Sequence, residues 1–298
     1  MHPHLKEPIS LSKAFGFGIA LNVAYILVEG VSGILVNSTA LLADAGHNLS
    51  DVLGLSLAWG AAYLAKSPTT SDRTYGLRKS TILASLLNAL ILLVAVGAIA
   101  VEAIQRLITP GPVGGTTMMI VAGVGVVING ATALLFVKGK ERDVNIKGAF
   151  LHMASDAGES LGVVVAGLLI NLTGFSYLDP IISLVIVTII TVGTWGLLKD
   201  SFQLSMDAVP PAVPLDAVKE YLRGLEGVEE VHDLHVWAMS TTETALTAHL
   251  VIPEERYPND DRFLNLVCKE LHVRFGIEHS TLQIEKSSQG ATCSDDHV

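Results

Sequence analysis

Six apolar segments, each about as long as a helix that crosses a bilayer, dominate this sequence. They cover roughly residues 12–35, 41–65, 79–107, 115–138, 147–171 and 178–199. Backbone amides inside a bilayer must bond to one another, so uninterrupted segments of this length are expected to be helices. The composition agrees, because 50% of the residues are hydrophobic and only 16% are charged, a balance unusual for a soluble enzyme. The sequence therefore predicts a bundle of six transmembrane helices.

Basic residues are concentrated in two of the links between these segments. They are Lys66, Arg73, Arg78 and Lys79 between the second and third segments, and Lys138, Lys140, Arg142 and Lys147 between the fourth and fifth. Basic loops stay on the cytoplasmic side of a membrane, so six spans place both chain termini in the cytoplasm. The first segment lacks a convincing cleavage site and is interpreted as a retained span rather than a signal peptide.

Residues 208–298 have the composition of a soluble domain. They carry a net charge of −9, out of −10 for the whole chain, which disfavours nucleic acid as a partner. Hydrophobic periodicity predicts helices at 215–224 and 260–275 and strands at 229–238, 243–252 and 279–286. The order αββαβ is typical of a small ferredoxin-like α+β domain, whose open sheet face or edge favours homodimerisation. The predicted domains are a transmembrane domain at 1–207, a cytoplasmic domain at 208–290 and a polar tail at 291–298.

Two polar strips interrupt the apolar segments, and both have the same pattern. His47 and Asp51 lie four residues apart in the second segment, and His152 and Asp156 repeat this spacing in the fifth. Residues four apart share one face of a helix, so two such helices can present two imidazoles and two carboxylates to one point. An aspartate at the bilayer centre costs about 2.5–3.5 kcal/mol on insertion scales. Four ionisable groups placed there favour a divalent metal site.

The donor set indicates which metal and which process to expect. Neutral imidazole and carboxylate bind Zn²⁺ in tetrahedral geometry. Co²⁺ and Cd²⁺ also suit this set, whereas the lack of a thiolate argues against Cu⁺. Without metal the same groups accept protons, so metal and protons compete for one site. The residues therefore predict exchange of a divalent cation for protons by alternating access.

The two pairs also have a plainer interpretation. A single His and Asp four apart often satisfy only each other, and it is the second copy that favours a metal site. Polar neighbours of the pairs are interpreted as groups that orient ligands or line the ion path. These neighbours are Asp44, Asn48, Ser50, Ser155, Glu159 and Ser160. Asp44 and Glu159 are also candidates for carrying protons.

Five stretches of the chain form a recognisable set. They are STALLADAGHNLSD at 38–51, RTYG at 73–76, NIKGA at 145–149, HDLHVW at 232–237 and HSTLQIE at 279–285. This set, which extends over nearly the whole chain, resembles the cation diffusion facilitator family of zinc exporters. The resemblance implies a homodimer of six-helix protomers that exchange cytoplasmic Zn²⁺ for protons. It places the transport site on the same two His/Asp pairs, a composition that looks like the zinc branch of the family.

The resemblance also implies a zinc site at the dimer interface of the soluble domain. It points to His232, His249 and Glu285, with His279 as a further candidate. Strand periodicity places His232 and His235 on opposite faces of a strand, so at most one of them can join His249. The loops that carry histidines in some relatives have none here, which favours a bacterial protein of the inner membrane.

Two other functions fit parts of the sequence. A membrane-embedded metalloenzyme would use three protein ligands and an open position, but the chain has no HExxH motif. A metal sensor would need the soluble domain and only an anchor in the membrane, for which two buried pairs are too costly. The predicted function is a non-enzymatic zinc exporter, with membrane lipid, protons and Zn²⁺, or Cd²⁺ or Co²⁺, as its partners.

Overall fold

The computed structural model describes residues 23–137, 144–256 and 262–286. Expectations for residues 12–22, for the basic link at 138–143 and for the tail at 291–298 lie outside these residues. The chain forms two compact units, one of residues 1–56 and 88–196 and the other of residues 57–87 and 197–298. Each unit has a hydrophobic core of its own.

The described residues from 23 to 205 contain six helices. They are α1 (Val23–Leu35), α2 (Thr39–Ala65), α3 (Ser80–Ile108), α4 (Gly115–Phe136), α5 (Val144–Thr173) and α6 (Leu178–Ser205). A tight turn joins α1 to α2, and in it Asn37 has φ of 59°, a left-handed backbone that asparagine tolerates better than most residues. Each of the six predicted segments thus corresponds to a helix, although α1 is described only from residue 23.

Four of these helices contain a stretch long and apolar enough to cross a membrane, namely α3, α6, residues 115–134 of α4 and residues 150–173 of α5. Helix α2 has 27 residues but is not among these four, because its polar strip interrupts the apolar sequence. Large apolar side chains cover the outside of the first unit. Val94, Val127, Leu172 and Val192 are 68–74% exposed. A surface of this kind suits lipid rather than water.

Small and branched side chains from five helices form the core of the first unit. Its buried members include Leu41 of α2, Val96 of α3, Met118 of α4, Val163 of α5 and Ile190 of α6. Helices α4 and α5 approach closely, because a Cβ atom on Gly167 would lie 2.8 Å from the carbonyl oxygen of Gly115. Small residues permit this backbone contact between membrane helices.

One buried carboxylate joins the start of α6 to the start of α2. Asp179, in the first turn of α6, has no exposed surface. It accepts hydrogen bonds from Ser38 Oγ at 2.5 Å, from Thr39 N and Oγ1 at 2.7 Å, and from Ala40 N at 3.2 Å. The first N–H groups of a helix have no partner within it, and an anion is favourable there. Asp179 therefore caps α2 from a different helix.

The second unit contains a three-stranded sheet with two helices. Its elements are α7 (Leu215–Arg223), β1 (Glu230–Ala238), β2 (Thr244–Val251), a 3₁₀ turn (Glu254–Arg256), α8 (Arg262–Phe275) and β3 (His279–Glu285). Strand β1 is antiparallel to β2, and β2 is parallel to β3, which gives the order β1-β2-β3. The predicted order αββαβ is confirmed.

Alternation along β2 decides which side chains face the core. Leu246, Ala248 and Leu250 are at most 1% exposed and pack in the core with residues of α7 and α8. Thr247 and His249, between them, are only partly buried. This is the period-two pattern of a strand. The other face of the sheet is therefore free of core packing and presents polar side chains.

The link between α2 and α3 belongs to this second unit, and basic residues of the link form ion pairs there. Lys79 Nζ lies 2.6 Å from Asp207 Oδ1, and Arg78 Nη1 lies 3.1 Å from Glu243 Oε2. Both pairs are partly exposed, and exposed ion pairs contribute little to stability. The two ion pairs therefore position the link within the second unit. They add little to the free energy of unfolding.

Replacing the buried cap should destabilise the protein. Asp179→Asn keeps one acceptor oxygen but presents an NH₂ group to the N–H and O–H donors of Thr39. Hydrogen bonds to a charged group contribute about 1.5–3 kcal/mol each, so we expect a loss of about 2 kcal/mol in the free energy of unfolding and a fall of several degrees in Tm. Thermal unfolding of the purified protein in detergent measures this change.

The control is Asp216→Asn, which makes the same change at an exposed carboxylate in the first turn of α7. It should leave Tm within about a degree of the wild type, since exposed sites contribute little. Equal Tm values for Asp179→Asn and the wild type would contradict the capping role.

Candidate metal centres

The two predicted His/Asp pairs lie on α2 and α5 of the first unit. His47 and Asp51 follow one another by one turn on α2, and His152 and Asp156 do the same on α5. An i, i+4 spacing sets both side chains of a pair on the same face. The structure brings the two faces together, so all four side chains meet at one place. We call these four residues the tetrad.

Each imidazole of the tetrad lies between the two carboxylates. His152 Nε2 is 3.3 Å from Asp51 Oδ2 and 3.7 Å from Asp156 Oδ2. His47 Nε2 is 3.6 Å from Asp156 Oδ1 and 3.9 Å from Asp51 Oδ2. Tetrahedral zinc with bonds of about 2.0 Å holds its donor atoms about 3.3 Å apart. The four imidazole–carboxylate separations are close to that value, and donor atoms of His47, Asp51 and Asp156 all lie within 4.8 Å of one another. Movement of the His152 side chain toward these three would complete the coordination of one ion.

Two members of the tetrad, His47 and Asp156, are well buried, whereas the side chains of Asp51 and His152 are 30% and 44% exposed. The Asp156 side chain is only 2% exposed and that of His47 17%. His47 Nδ1 and Asp156 Oδ1 are buried and have no hydrogen-bond partner among the described residues. Buried polar atoms without a partner are rare. Metal coordination would account for the unpartnered carboxylate oxygen better than a closed internal ion pair does.

Several of the predicted neighbours form a second polar group beside the tetrad. Ser160 donates a hydrogen bond of 2.7 Å to Asp44 Oδ2, and Asn48 Nδ2 donates one of 3.4 Å to Glu29 Oε2. Sequence analysis did not single out Glu29 of α1. The signal for it was present, because a lone carboxylate in an apolar membrane segment is costly and needs a role. Glu159 has a buried oxygen, Oε2, without a hydrogen-bond partner.

A second cluster lies on the polar face of the sheet and contains the three predicted residues. His232 Nε2 is 3.2 Å from Glu285 Oε2, and His249 Nδ1 is 3.0 Å from Glu285 Oε1. The two imidazole rings are edge to face, with centroids 5.1 Å apart. His232 and His249 are neighbours because they pair directly across β1 and β2, and Glu285 follows on β3. This arrangement provides three metal donors at partly buried positions.

A bulge in β1 brings an additional carboxylate to this cluster. The register of β1 against β2 shifts between His232 and His235, and Asp233 has φ of 50°, a conformation that aspartate tolerates. Its carboxylate accepts a hydrogen bond from His235 at 2.8 Å and lies 3.4 Å from His249 Nε2. The hydrogen bond from His235, together with the nearby imidazoles, lowers the pKa of Asp233. Periodicity alone gives no signal for this bulge.

Two other histidines of the sheet domain lie outside this cluster. His235 pairs with Thr247 of β2, on the face that carries His249 and its partner His232. The prediction that His232 and His235 lie on opposite faces is therefore wrong, because the bulge between them breaks the alternation of the strand. His235 contacts Asp233. His279, the further candidate ligand, packs edge to face on the ring of Tyr75 at 5.5 Å. The structure therefore does not place His279 with the three other candidates.

Comparison with known proteins identifies the family. Residues 17–204 match the family described as "Cation efflux transmembrane domain", and residues 210–287 match "Cation efflux protein, cytoplasmic domain". The chain belongs to the cation efflux family. The resemblance to the cation diffusion facilitators is confirmed, and this efflux protein is thus a member of a transporter family with several membrane spans.

Relatives of known name align with almost all of this efflux protein. Zinc transporter ZitB of Escherichia coli is 36% identical over 287 residues, which are 95% of this chain and 90% of ZitB. Metal cation efflux system protein CzcD of Cupriavidus metallidurans is 33% identical over 95% of this chain and 89% of CzcD. The cadmium, cobalt and zinc/H(+)-K(+) antiporter of Bacillus subtilis is 32% identical over 88% of this chain and 85% of that protein.

Substitution of one cluster histidine should remove a metal ion from the efflux protein. We expect His249→Ala to lose about one zinc ion per protomer, because two remaining donors hold zinc much more weakly than three. Metal analysis of the purified full-length protein after dialysis against dilute zinc measures the change.

The matched control is His279→Ala, a histidine of the same sheet that packs on Tyr75 instead. It should retain the zinc content of the wild type. Loss of zinc from His279→Ala but not from His249→Ala would refute this assignment of the ligands.

Proposed function

We propose that this protein is a zinc exporter that exchanges cytoplasmic Zn²⁺ for protons by alternating access. The observation that carries the proposal is the tetrad, in which α2 and α5 each supply one imidazole and one carboxylate, and imidazole nitrogens lie 3.3–3.9 Å from carboxylate oxygens. Membership of the cation efflux family supports transport rather than catalysis.

The donor set and the relatives both favour zinc. Two nitrogen and two oxygen donors form a set that Zn²⁺ binds tetrahedrally. Among the relatives, ZitB is named a zinc transporter, and the Bacillus subtilis protein is named for cadmium, cobalt and zinc. Cd²⁺ and Co²⁺ accept the same ligands. They are therefore included as further substrates.

Proton coupling follows from the charge of the site. Two carboxylates neutralise the two charges of the metal, so the loaded tetrad is close to neutral in a medium of low dielectric constant. When the metal leaves, two carboxylates and two imidazoles are left to bind protons. The antiporter name of the Bacillus subtilis relative is consistent with such an exchange.

The sheet domain is proposed to face the cytoplasm and to join two protomers. The basic links support a cytoplasmic position for both chain termini, and the bacterial relatives favour the inner membrane. The matching domain of the family is cytoplasmic, and the open polar face of the sheet supports a homodimer. Zinc bound by His232, His249 and Glu285 would lie on this face. The proposed domain boundaries are 1–207 and 208–290, followed by the tail at 291–298.

Zinc flux into proteoliposomes tests the exporter. With an acidic lumen, we expect the wild type to take up zinc as protons leave, and Asp156→Ala to do so at least about tenfold more slowly, because a ligand is lost from the tetrad. A zinc-sensitive dye inside the vesicles measures the rate.

The matched control for this experiment is Ser56→Ala. Ser56 lies on α2 beyond Asp51, is exposed and donates a hydrogen bond to Val52 O of its own helix. Its replacement should leave zinc uptake unchanged. Flux that survives the loss of Asp156, or flux in the wild type that ignores the pH gradient, would count against the proposal.

The identity of the donor at position 47 should set metal preference. His47→Asp replaces a nitrogen donor by a harder oxygen donor, and such sets suit Mn²⁺ better. We expect the ratio of zinc to manganese uptake to fall by about tenfold in the same vesicle assay. An unchanged ratio would show that the type of donor at this position does not determine selectivity.

A further inference from the structure

Glu29 is a fully buried carboxyl group that the tetrad does not use. It lies on α1 with no exposed surface. Tyr25 Oη donates a hydrogen bond of 2.7 Å to Glu29 Oε1, and Asn48 donates a longer one to Oε2. Asn48 follows Asp44 by one turn on α2, so the helix face that contacts Glu29 also carries the carboxyl group of Asp44. None of these three groups is a cation.

Asp44 of α2 faces Glu29 and is buried just as completely. Its Oδ2 atom accepts the hydrogen bond from Ser160 of α5. Its Oδ1 atom is buried and has no hydrogen-bond partner among the described residues. The hydroxyl of Tyr25, which bonds to Glu29, and the hydroxyl of Ser160, which bonds to Asp44, both lie beside Gly125 of α4, so the two carboxyl groups share one pocket. An ionised carboxylate offers only acceptors, so Oδ1 is an acceptor in need of a donor or a cation.

Two adjacent buried carboxyl groups cannot both be ionised without a large cost. Like charges at this range repel strongly in a medium of low dielectric constant, and paired carboxyl groups respond by holding one proton between them. The space around the two carboxyl groups is also too small for a hydrated metal ion. A Cβ atom added to Gly125 of α4 would lie 2.2 Å from Tyr25 Oη and 3.0 Å from Ser160 Oγ, so α4 closes the pocket tightly. A proton fits where a hydrated ion would not.

We propose that the Glu29–Asp44 pair is a proton-binding site separate from the tetrad, and that its proton leaves as zinc binds. The inference rests on the proposed exchange of zinc for protons. In each cycle one H⁺ departs from the pair when one Zn²⁺ enters the tetrad, and one H⁺ returns when the ion is released. No covalent bond other than O–H changes.

The position of the pair explains how the tetrad acts on it. Asp44 precedes His47 by three residues on α2, which is about 4.5 Å along the helix axis. Ser160, which donates its hydrogen bond to Asp44, follows Asp156 by four residues on α5 and so lies one turn from a carboxylate of the tetrad. A divalent ion placed among these groups would favour the ionised form of the pair and expel its proton.

The ratio of protons to zinc ions tests this proposal. In proteoliposomes that report lumenal pH and zinc together, we expect Glu29→Gln to move zinc but to export about one proton fewer per zinc ion, because an amide cannot exchange a proton. The control is Glu102→Gln, the same change at a half-exposed carboxylate of α3 that pairs with Arg106. It should keep the wild-type ratio.

A second variant covers the case in which Glu29→Gln carries no measurable flux. Tyr25→Phe removes the donor that stabilises the ionised Glu29, so the protonated form is favoured. We expect the pH profile of zinc uptake to move upward by about half a unit, with zinc binding retained. The proposal would be overturned if Glu29→Gln exchanged as many protons per zinc ion as the wild type. If Glu29→Gln carries no flux, an unchanged pH profile of zinc uptake in Tyr25→Phe would overturn it. Absence of gradient-driven zinc uptake in the wild type would instead refute the proposed function.

Discussion

The cost of placing charge in a membrane governs the first unit of this protein. Every ionisable group on a membrane helix must find a partner within the protein, since lipid offers none. Asp179 meets this requirement at the start of α2, Glu102 with Arg106 on α3, and Asp44 with Ser160. Apolar packing between helices allows several registers, whereas hydrogen bonds between specific polar groups allow few. The bonds of Asp179 join α6 to α2, and the bond of Asp44 joins α2 to α5. These two contacts help to align the three helices and, with them, the tetrad.

The tetrad could be predicted from sequence because its information is local. A spacing of four on a helix is sufficient to place His47 with Asp51, and the copy at His152 and Asp156 needed only the assumption that equal motifs meet. The soluble domain was predictable for a similar reason, since alternation in β2 and the hairpin between β1 and β2 depend on neighbouring residues. The identity of the ion that the tetrad binds, and the transport of that ion, remain predictions.

Other parts of the two sites depend on contacts between distant residues and were not predictable. The carboxylates of Glu29 and Asp44 meet only after α1 and α2 have packed, and no spacing rule relates them. Asp179 bonds to residues some 140 positions earlier in the chain. The sequence around Asp179 predicts the start of α6, but it does not predict that Asp179 caps α2. The bulge at Asp233 changes the direction of one carboxylate, and a strict alternation of faces in β1 overlooks it.

The cap at Asp179 has a consequence for movement. Four hydrogen bonds join one end of α2 to α6, whereas His47 and Asp51 lie two to three turns further along α2. A helix fastened at one end changes its tilt about that end, so the displacement of each residue grows with its distance from the cap. The metal ligands of α2 therefore lie far from the point about which the helix would tilt, which is at Thr39. A small rotation there would separate Asp51 from α5 further than it would separate His47, which opens the tetrad from one side.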